Sequence, residues 1–144
     1  MAKLQVDVVT AEGVTHTGEA DFVLAPGIAG EFGVLPRHIP MLTPLRTGSV
    51  MVRNGNKEEH IFVAGGFIEV LPDRVTILAD AAERAEDIDE ARAEEARRKA
   101  QELLSQDATN AEASAALERA VFRMRVADIR RRRRERPQNP LSGQ

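Results

Sequence analysis

Glycine and proline stop partway along this chain. The last glycine of its first half is Gly66 and the last proline is Pro72, and neither residue type returns until Pro137. Both break helices, so their presence punctuates the first half and their absence frees the second to run in long helices. The character changes across Ala79–Ala93, ADAAERAEDIDEARA. Before it the chain is β-branched and cut by turns. After it come roughly fifty residues rich in Ala, Glu and Arg, the composition of helix rather than sheet. Within the junction, Ile88-Asp89-Glu90-Ala91-Arg92-Ala93 sets a carboxylate and a guanidinium three residues apart on one face of a starting helix. The junction therefore reads as a hinge and a candidate ligand site.

The first half alternates apolar and polar residues in short runs. Leu4–Val8 alternates as a strand with one buried face, Gly13 marks a turn before Val14–Thr17, and Ala20–Ala25 ends at Pro26-Gly27. Asn54-Gly55-Asn56 between Gly48–Arg53 and Lys57–Val63 is a hairpin signal, because Asn-Gly tolerates the positive φ angles of such turns. Gly65-Gly66 opens Phe67–Leu71, Pro72-Asp73 turns the chain, and Val75–Ala79 returns. Many short strands with Gly/Pro turns predict an antiparallel sandwich or flattened barrel over residues 1–84.

The second half predicts an antiparallel two-helix hairpin over residues 85–136, with helices near 88–105 and 111–135. Asp87 is the expected N-cap, with Glu90 three residues later. Ala93, Ala96, Ala100 and Leu103 form one stripe, and Ala113, Leu117, Ala120, Met124 and Ala127 form another. Ser105–Ala111 is the polar loop between them, and residues 137–144 read as a disordered tail. A seam made mostly of Ala packs closely but buries little, so the hairpin should detach easily. Charge is segregated as well. Residues 1–80 carry −4, residues 81–112 carry −5 and residues 113–144 carry +6, giving the net −3. An acidic helix followed by a basic one favours folding of the pair on itself or on another acidic surface.

Several functions are disfavoured. Five Phe with no Trp or Tyr offer no base-stacking platform, so nucleic acid is not expected as a partner. No cysteine is present for disulfides or thiol chemistry. His16, His38 and His60 are scattered without metal-ligand spacing, and no acid–base or nucleophile set stands out, so neither a metal site nor an enzyme is expected. Gly27, Gly30 and Gly33 lack the Lys-Ser/Thr of a phosphate loop and read as turn glycines. The N-terminus has no apolar signal region, and no run is long enough to span a bilayer.

Two constellations stay open at the level of spacing. Asp89 and Arg92 read best as a surface pair worth a few tenths of a kcal/mol. Yet Arg119 and Arg123, at i,i+4 on the second helix, turn toward the first if the hairpin closes near Asp107, and converging guanidiniums suit a polyphosphate. The run Arg130, Arg131, Arg132, Arg133, Arg134 reads equally as a solvated helix end or as a docking element for an acidic surface.

GEFGVLPRHIPMLTPL (residues 30–45), AGGFIEVLPDRVTILADAAERAEDID (64–89) and the helical hairpin resemble the epsilon subunit of bacterial and chloroplast-type rotary ATP synthases, over residues 3–135 and in the same order. The resemblance implies a sandwich of about ten strands followed by the hairpin. It implies a non-catalytic rotor subunit of the central stalk, touching the gamma subunit and the c-ring of a proton-translocating enzyme. The helices would fold onto the sandwich or extend toward the alpha/beta head, inhibiting ATP hydrolysis. The subunit would lie on the cytoplasmic face of the bacterial membrane, reaching it only through the complex. The Ile-Asp-x-x-Arg-Ala motif of nucleotide-binding members is matched by Ile88, Asp89, Arg92 and Ala93, and further contacts carry over to Glu83, Arg119 and Arg123. Lys99 stands where such members have Arg, keeping the charge and losing the planar fork. No cofactor is required on this reading, with ATP as a regulatory ligand. Partner contacts fall to His38 in the sandwich and to Arg123, Arg125 and Arg130–Arg134 in the second helix, facing an acidic segment of the beta subunit. A free-standing nucleotide-responsive binding module is the alternative.

Overall fold

The computed structural model describes residues 2–135, with side chains as far as Arg133. The tail over 137–144 and the Arg134 side chain, both subjects of expectations above, lie outside the described residues. Eight strands come first: β1 (Leu4–Thr10), β2 (Gly13–Ala20), β3 (Phe22–Gly27), β4 (Gly30–Val34), β5 (Met41–Asn54), β6 (Lys57–Leu71), β7 (Arg74–Ala79) and β8 (Ala82–Arg84). A 3-10 turn over Ala85–Asp87 leads to α1 (Glu90–Gln106) and α2 (Ala111–Glu135).

One hydrogen-bonded sheet runs β2-β1-β7-β6-β5-β3-β4, with β8 added on β6. Every pairing is antiparallel except β1 with β7. The count is eight rather than about ten because β5 and β6 each run unbroken where two strands were expected. Pro44 lacks an N–H, yet β5 continues through it, and the Pro44 carbonyl accepts a bond from the Ile28 N–H at 3.0 Å. Gly65 and Gly66 take φ of 83° and 112° and bend β6 without ending it. The bend divides the work of β6. Its first half pairs with β8 at Ile61–Val63, and its second pairs with β7 at Gly66–Leu71. Only glycine fits at the second position, since a Cβ on Gly66 would sit 2.1 Å from the Leu78 carbonyl oxygen.

Alternation along the strands fills the sandwich interior with Val and Ile: Val6 and Val8, Val50 and Val52, Ile61 and Val63, Ile68 and Val70, Val75 and Ile77. Gly33, read above as a turn glycine, instead makes room for a ring. A Cβ there would meet Phe22 Cε2 at 2.7 Å.

Phe62 lies between two core residues of β6, so its ring projects from the opposite face. There it joins Ala85, Ile88, Val126 and Ala127 in a second apolar cluster that docks α2 on the sandwich. Burial of Ile88 holds the junction extended (φ −73°, ψ 125°) and delays the helix. The N-cap is accordingly Asp89, not Asp87: its carboxylate accepts the Arg92 backbone N–H at 3.1 Å, and α1 starts at Glu90 rather than near 88. Asn110 caps α2 by accepting the Ala113 N–H at 3.0 Å.

Between the helices the enclosed residues are spaced by seven, Ala93 and Ala100 on α1 and Ala113 and Ala120 on α2, while Ala127, expected in the same stripe, packs in the sandwich-facing cluster. Ala96, Leu117 and Met124 are half-buried. Leu103, placed in the stripe by spacing, is 48% exposed. Each enclosed methyl contributes about 0.8 kcal/mol, so the seam is thin. The hairpin is held to the sandwich as much by its polar ends as by its own core.

Candidate functional site

A cleft of about 760 Å3 opens between the hairpin and the sandwich. Both helices line it with one pattern. Arg92, Glu95, Ala96 and Lys99 come from α1, and Ala116, Arg119, Ala120 and Arg123 come from α2. These are the positions i, i+3, i+4 and i+7 that share a helix face. The small alanines let the helices approach, while the long cations reach past them into the opening. From the sandwich side come Phe62, the segment Asp80–Glu83, and the β1–β2 turn with Glu12.

The charged groups fall into two sets. Arg123 is spoken for: its Nε donates to Glu83 Oε2 at 2.6 Å and its Nη2 to Glu83 Oε1 at 3.1 Å, a two-pronged pair that ties α2 to β8. Lys99 lies 3.4 Å from Glu95 one turn earlier on α1. Arg92 and Arg119, one from each helix, have no carboxylate partner among the described residues. Two unpaired guanidiniums and an ammonium around one cleft form a receptor for a polyanion.

Of the residues expected at a nucleotide site, Glu83, Arg92, Lys99, Arg119 and Arg123 meet at this cleft. Ile88, Asp89 and Ala93 do not line it. Ile88 and Ala93 are buried, and Asp89 spends its carboxylate on the Arg92 backbone instead of the Arg92 side chain. Spacing had placed those two charges side by side. Glu12, Asp80 and Glu95 were not anticipated at the cleft. Glu95 was findable, since it shares the face of Arg92 and Lys99, whereas Glu12 and Asp80 arrive only through the tertiary fold.

The residues expected to meet partners occupy two regions. His38 sits in the β4–β5 connection, its Nδ1 2.7 Å from the Ile39 carbonyl oxygen, flanked by exposed Leu35, Ile39 and Leu42. A second exposed apolar pair, Phe67 and Leu78, faces across β6 and β7. On α2, Arg125 is exposed and lies over the Phe122 ring at 5.0 Å. The basic run that follows is engaged with this chain's own acceptors. Arg130 bonds the Ala85 and Glu86 carbonyls and the Glu90 carboxylate, Arg131 and Arg132 reach Asp128, and Arg133 reaches Glu58. The bond from Arg131, with Arg132 adding to it, holds the Asp128 carboxyl below its ordinary range. No helix among the described residues is long and apolar enough to cross a membrane.

Comparison with known proteins covers both halves. Residues 3–85 match the family described as ATP synthase, Delta/Epsilon chain, beta-sandwich domain, and residues 86–128 match ATP synthase, Delta/Epsilon chain, long alpha-helix domain. The ATP synthase epsilon chain of Dehalococcoides mccartyi is 47% identical over 136 residues, covering 92% of this chain and 97% of that one. That of Bordetella parapertussis is 58% identical over 105 residues, covering 72% and 75%. That of Nitratidesulfovibrio vulgaris is 48% identical over 126 residues, covering 85% and 94%. In fold, the chain is similar to one in the structure of the Euglena gracilis mitochondrial ATP synthase (OSCP/F1/c-ring, rotational state 1), with a TM-score of 0.74, 24% identity, and 90% and 82% of the two chains covered. Sandwich and helices thus match one family in order and nearly end to end: the chain belongs to the ATP synthase delta/epsilon family, with the epsilon chains.

Proposed function

We propose that this chain is a non-catalytic rotor subunit in the central stalk of a proton-translocating ATP synthase, and that its hairpin is an ATP-responsive brake on ATP hydrolysis. The observation that carries the regulatory reading is the cleft, where Arg92 of α1 and Arg119 of α2 stand unpaired beside the Glu83–Arg123 tie. A triphosphate set between them would be held by both helices at once, with Lys99 adding a third cation. Such a ligand binds fully only when the hairpin lies on the sandwich, so it shifts the population toward that closed state. Closed, Arg130, Arg131 and Arg133 of α2 are occupied by the Glu90 and Glu58 carboxylates and by the Ala85 and Glu86 backbone carbonyls. Released, the same arginines become available to an acidic segment of the beta subunit in the alpha/beta head, and hydrolysis is inhibited.

The sandwich supplies the structural part of the role. Two separate apolar surfaces, Leu35, Ile39 and Leu42 around His38 and the Phe67–Leu78 pair, suit two neighbours, the c-ring and the gamma subunit. Through them the chain would be held on the cytoplasmic face of the membrane. No cofactor enters this role, and ATP acts as a regulatory ligand.

Titrating ATP into the full chain, followed by calorimetry, tests the brake. Wild type should bind, and Arg92→Ala and Arg119→Ala should each weaken binding about tenfold or more, as loss of a charge-assisted bond implies. Absence of binding at millimolar ATP, or binding by both variants as tight as wild type, would overturn the nucleotide reading. Co-purification of gamma and the c-ring with the tagged chain tests the stalk role separately, against a free-standing nucleotide-responsive module.

A further inference from the structure

We propose that His60 is a proton-operated release for the C-terminal end of α2. The geometry rests on one shared acceptor. Arg133 donates to the backbone carbonyl and to Oε2 of Glu58, and His60 Nε2 lies 3.6 Å from that same Oε2. Residues 58 and 60 project from one face of β6, so the two side chains share the surface on which α2 ends. The His60 side chain is 16% exposed and the Glu58 side chain 36%. A neutral imidazole fits beside the Arg133–Glu58 pair. An imidazolium would bring a second cation to an oxygen that Arg133 already uses, and one carboxylate cannot neutralise both.

The charged groups acting on His60 are Glu58 from β6 and Arg133 from α2, and its cross-strand partner on β5 is the uncharged Met51. Burial, and then the Arg133 charge, push the imidazole below the ordinary histidine range, outweighing the opposite effect of Glu58. The sign follows from linkage. A cation-forming group held low in the docked state costs nothing while it is neutral, so docking has its full strength above the ordinary histidine value. Docking then weakens as pH falls toward the lowered value. When α2 leaves, Arg133 leaves with it and Glu58 stays. The imidazole then takes up a proton more readily, and release is coupled to proton uptake. This coupling concerns docking alone, and it stands whether or not the released helix inhibits ATP hydrolysis.

The test uses the full chain without nucleotide. A distance probe between the end of α2 and the sandwich is read from about pH 7.5 to about pH 5.5, above the ordinary carboxylate range of about 4. The docked-to-released ratio should fall about threefold or more in wild type. It should stay flat in His60→Gln, which separates His60 from His16 and His38. The His60 titration, followed by NMR, should move upward in Arg133→Gln. A response that persists in His60→Gln, or a His60 titration unmoved by Arg133→Gln, would overturn the proposal.

Discussion

Arg123 and Glu83 meet through two hydrogen bonds, 2.6 and 3.1 Å long, across forty positions of sequence. The pair joins the middle of α2 to the last strand of the sandwich, and both residues line the cleft. Its geometry is that of a planar fork on a carboxylate, which a lysine cannot reproduce. Replacing Arg123 with Ala or Lys should therefore loosen α2 from the sandwich by about 1 kcal/mol, the part-exposed setting limiting the effect. Hydrogen exchange along Ala120–Ala127 should quicken in both variants, while exchange in β1 and β7 stays as in wild type. Equal protection of α2 in wild type and Arg123→Ala would show that the pair does not hold the helix.

The alanine seam makes a second expectation. Ala120 is 2% exposed and faces α1, so a larger side chain has no room without separating the helices. Ala120→Leu should destabilise the hairpin by about 1–3 kcal/mol through overpacking. Because the sandwich core shares no residue with the seam, thermal melting should show the helical signal lost early and the β signal unchanged.

Helix and sandwich were legible in the sequence for different reasons. The seam could be read from Ala spacing because it depends on local period alone. The hairpin at Asn54-Gly55 was equally local. Strand β8 was not legible: Ala82-Glu83-Arg84 has no β preference, and it is a strand because Ile61–Val63 offers it an edge. The continuity of β6 through Gly65-Gly66 was hidden because glycine marks bends and breaks alike. The cap moved from Asp87 to Asp89 because burial of Ile88, a tertiary event, decides where the helix can begin. At the cleft, helical spacing put the cations of each helix on one face. The acidic wall from Glu12 and Asp80 depended on strand topology that no spacing encodes.

That cap gives a third expectation. Asp89→Ala removes the acceptor of the Arg92 N–H and should cost about 1 kcal/mol of helix stability. Asp89→Asn, which can still accept that bond, should restore most of it. Since Asp89 does not line the cleft, neither change should remove a direct ligand contact. Calorimetry with ATP is expected to show a smaller effect for Asp89→Asn than for Arg92→Ala.

Within the sandwich, acid should act through two carboxylates, Asp7 of β1 and Asp21 at the β2–β3 junction. The Gly55 N–H, donated to Asp21 Oδ2 at 2.7 Å, with Lys3 assisting, holds the Asp21 carboxyl below its ordinary value. Thr17 does the same for Asp7. A depressed carboxylate contributes stability that is fully present above its unfolded value of about 3.9 and is lost as pH falls through the folded value. The sandwich's own stability, as distinct from the docking of α2, should accordingly decline only below about pH 4, and Asp21→Asn should flatten part of that decline. A decline of equal depth in wild type and Asp21→Asn would assign acid sensitivity to other groups.

Arg130 makes the strongest single demand on side-chain identity. Its Nη1 donates to the Ala85 carbonyl at 2.8 Å and the Glu86 carbonyl at 3.1 Å, and its Nη2 reaches Glu90 Oε1 at 3.0 Å. One guanidinium thus closes the 3-10 turn, the first residue of α1 and the far part of α2 into a single node, with its side chain 19% exposed. Two carbonyls and a carboxylate approach from different directions, and only a group with several fixed N–H vectors satisfies all three. Arg130→Lys should therefore behave nearly like Arg130→Ala, each freeing the end of α2 and exposing Phe62 and Val126 beneath it. Added salt should enlarge the released fraction of wild type and change the variants less, because they have already lost the Arg130–Glu90 pair and keep only Arg131–Glu90 and Arg133–Glu58 beside the apolar cluster. Hydrogen exchange at Val126–Arg133, measured at low and high ionic strength, reads both effects. Full rescue by Lys would mean that charge alone, not the fork, holds the node.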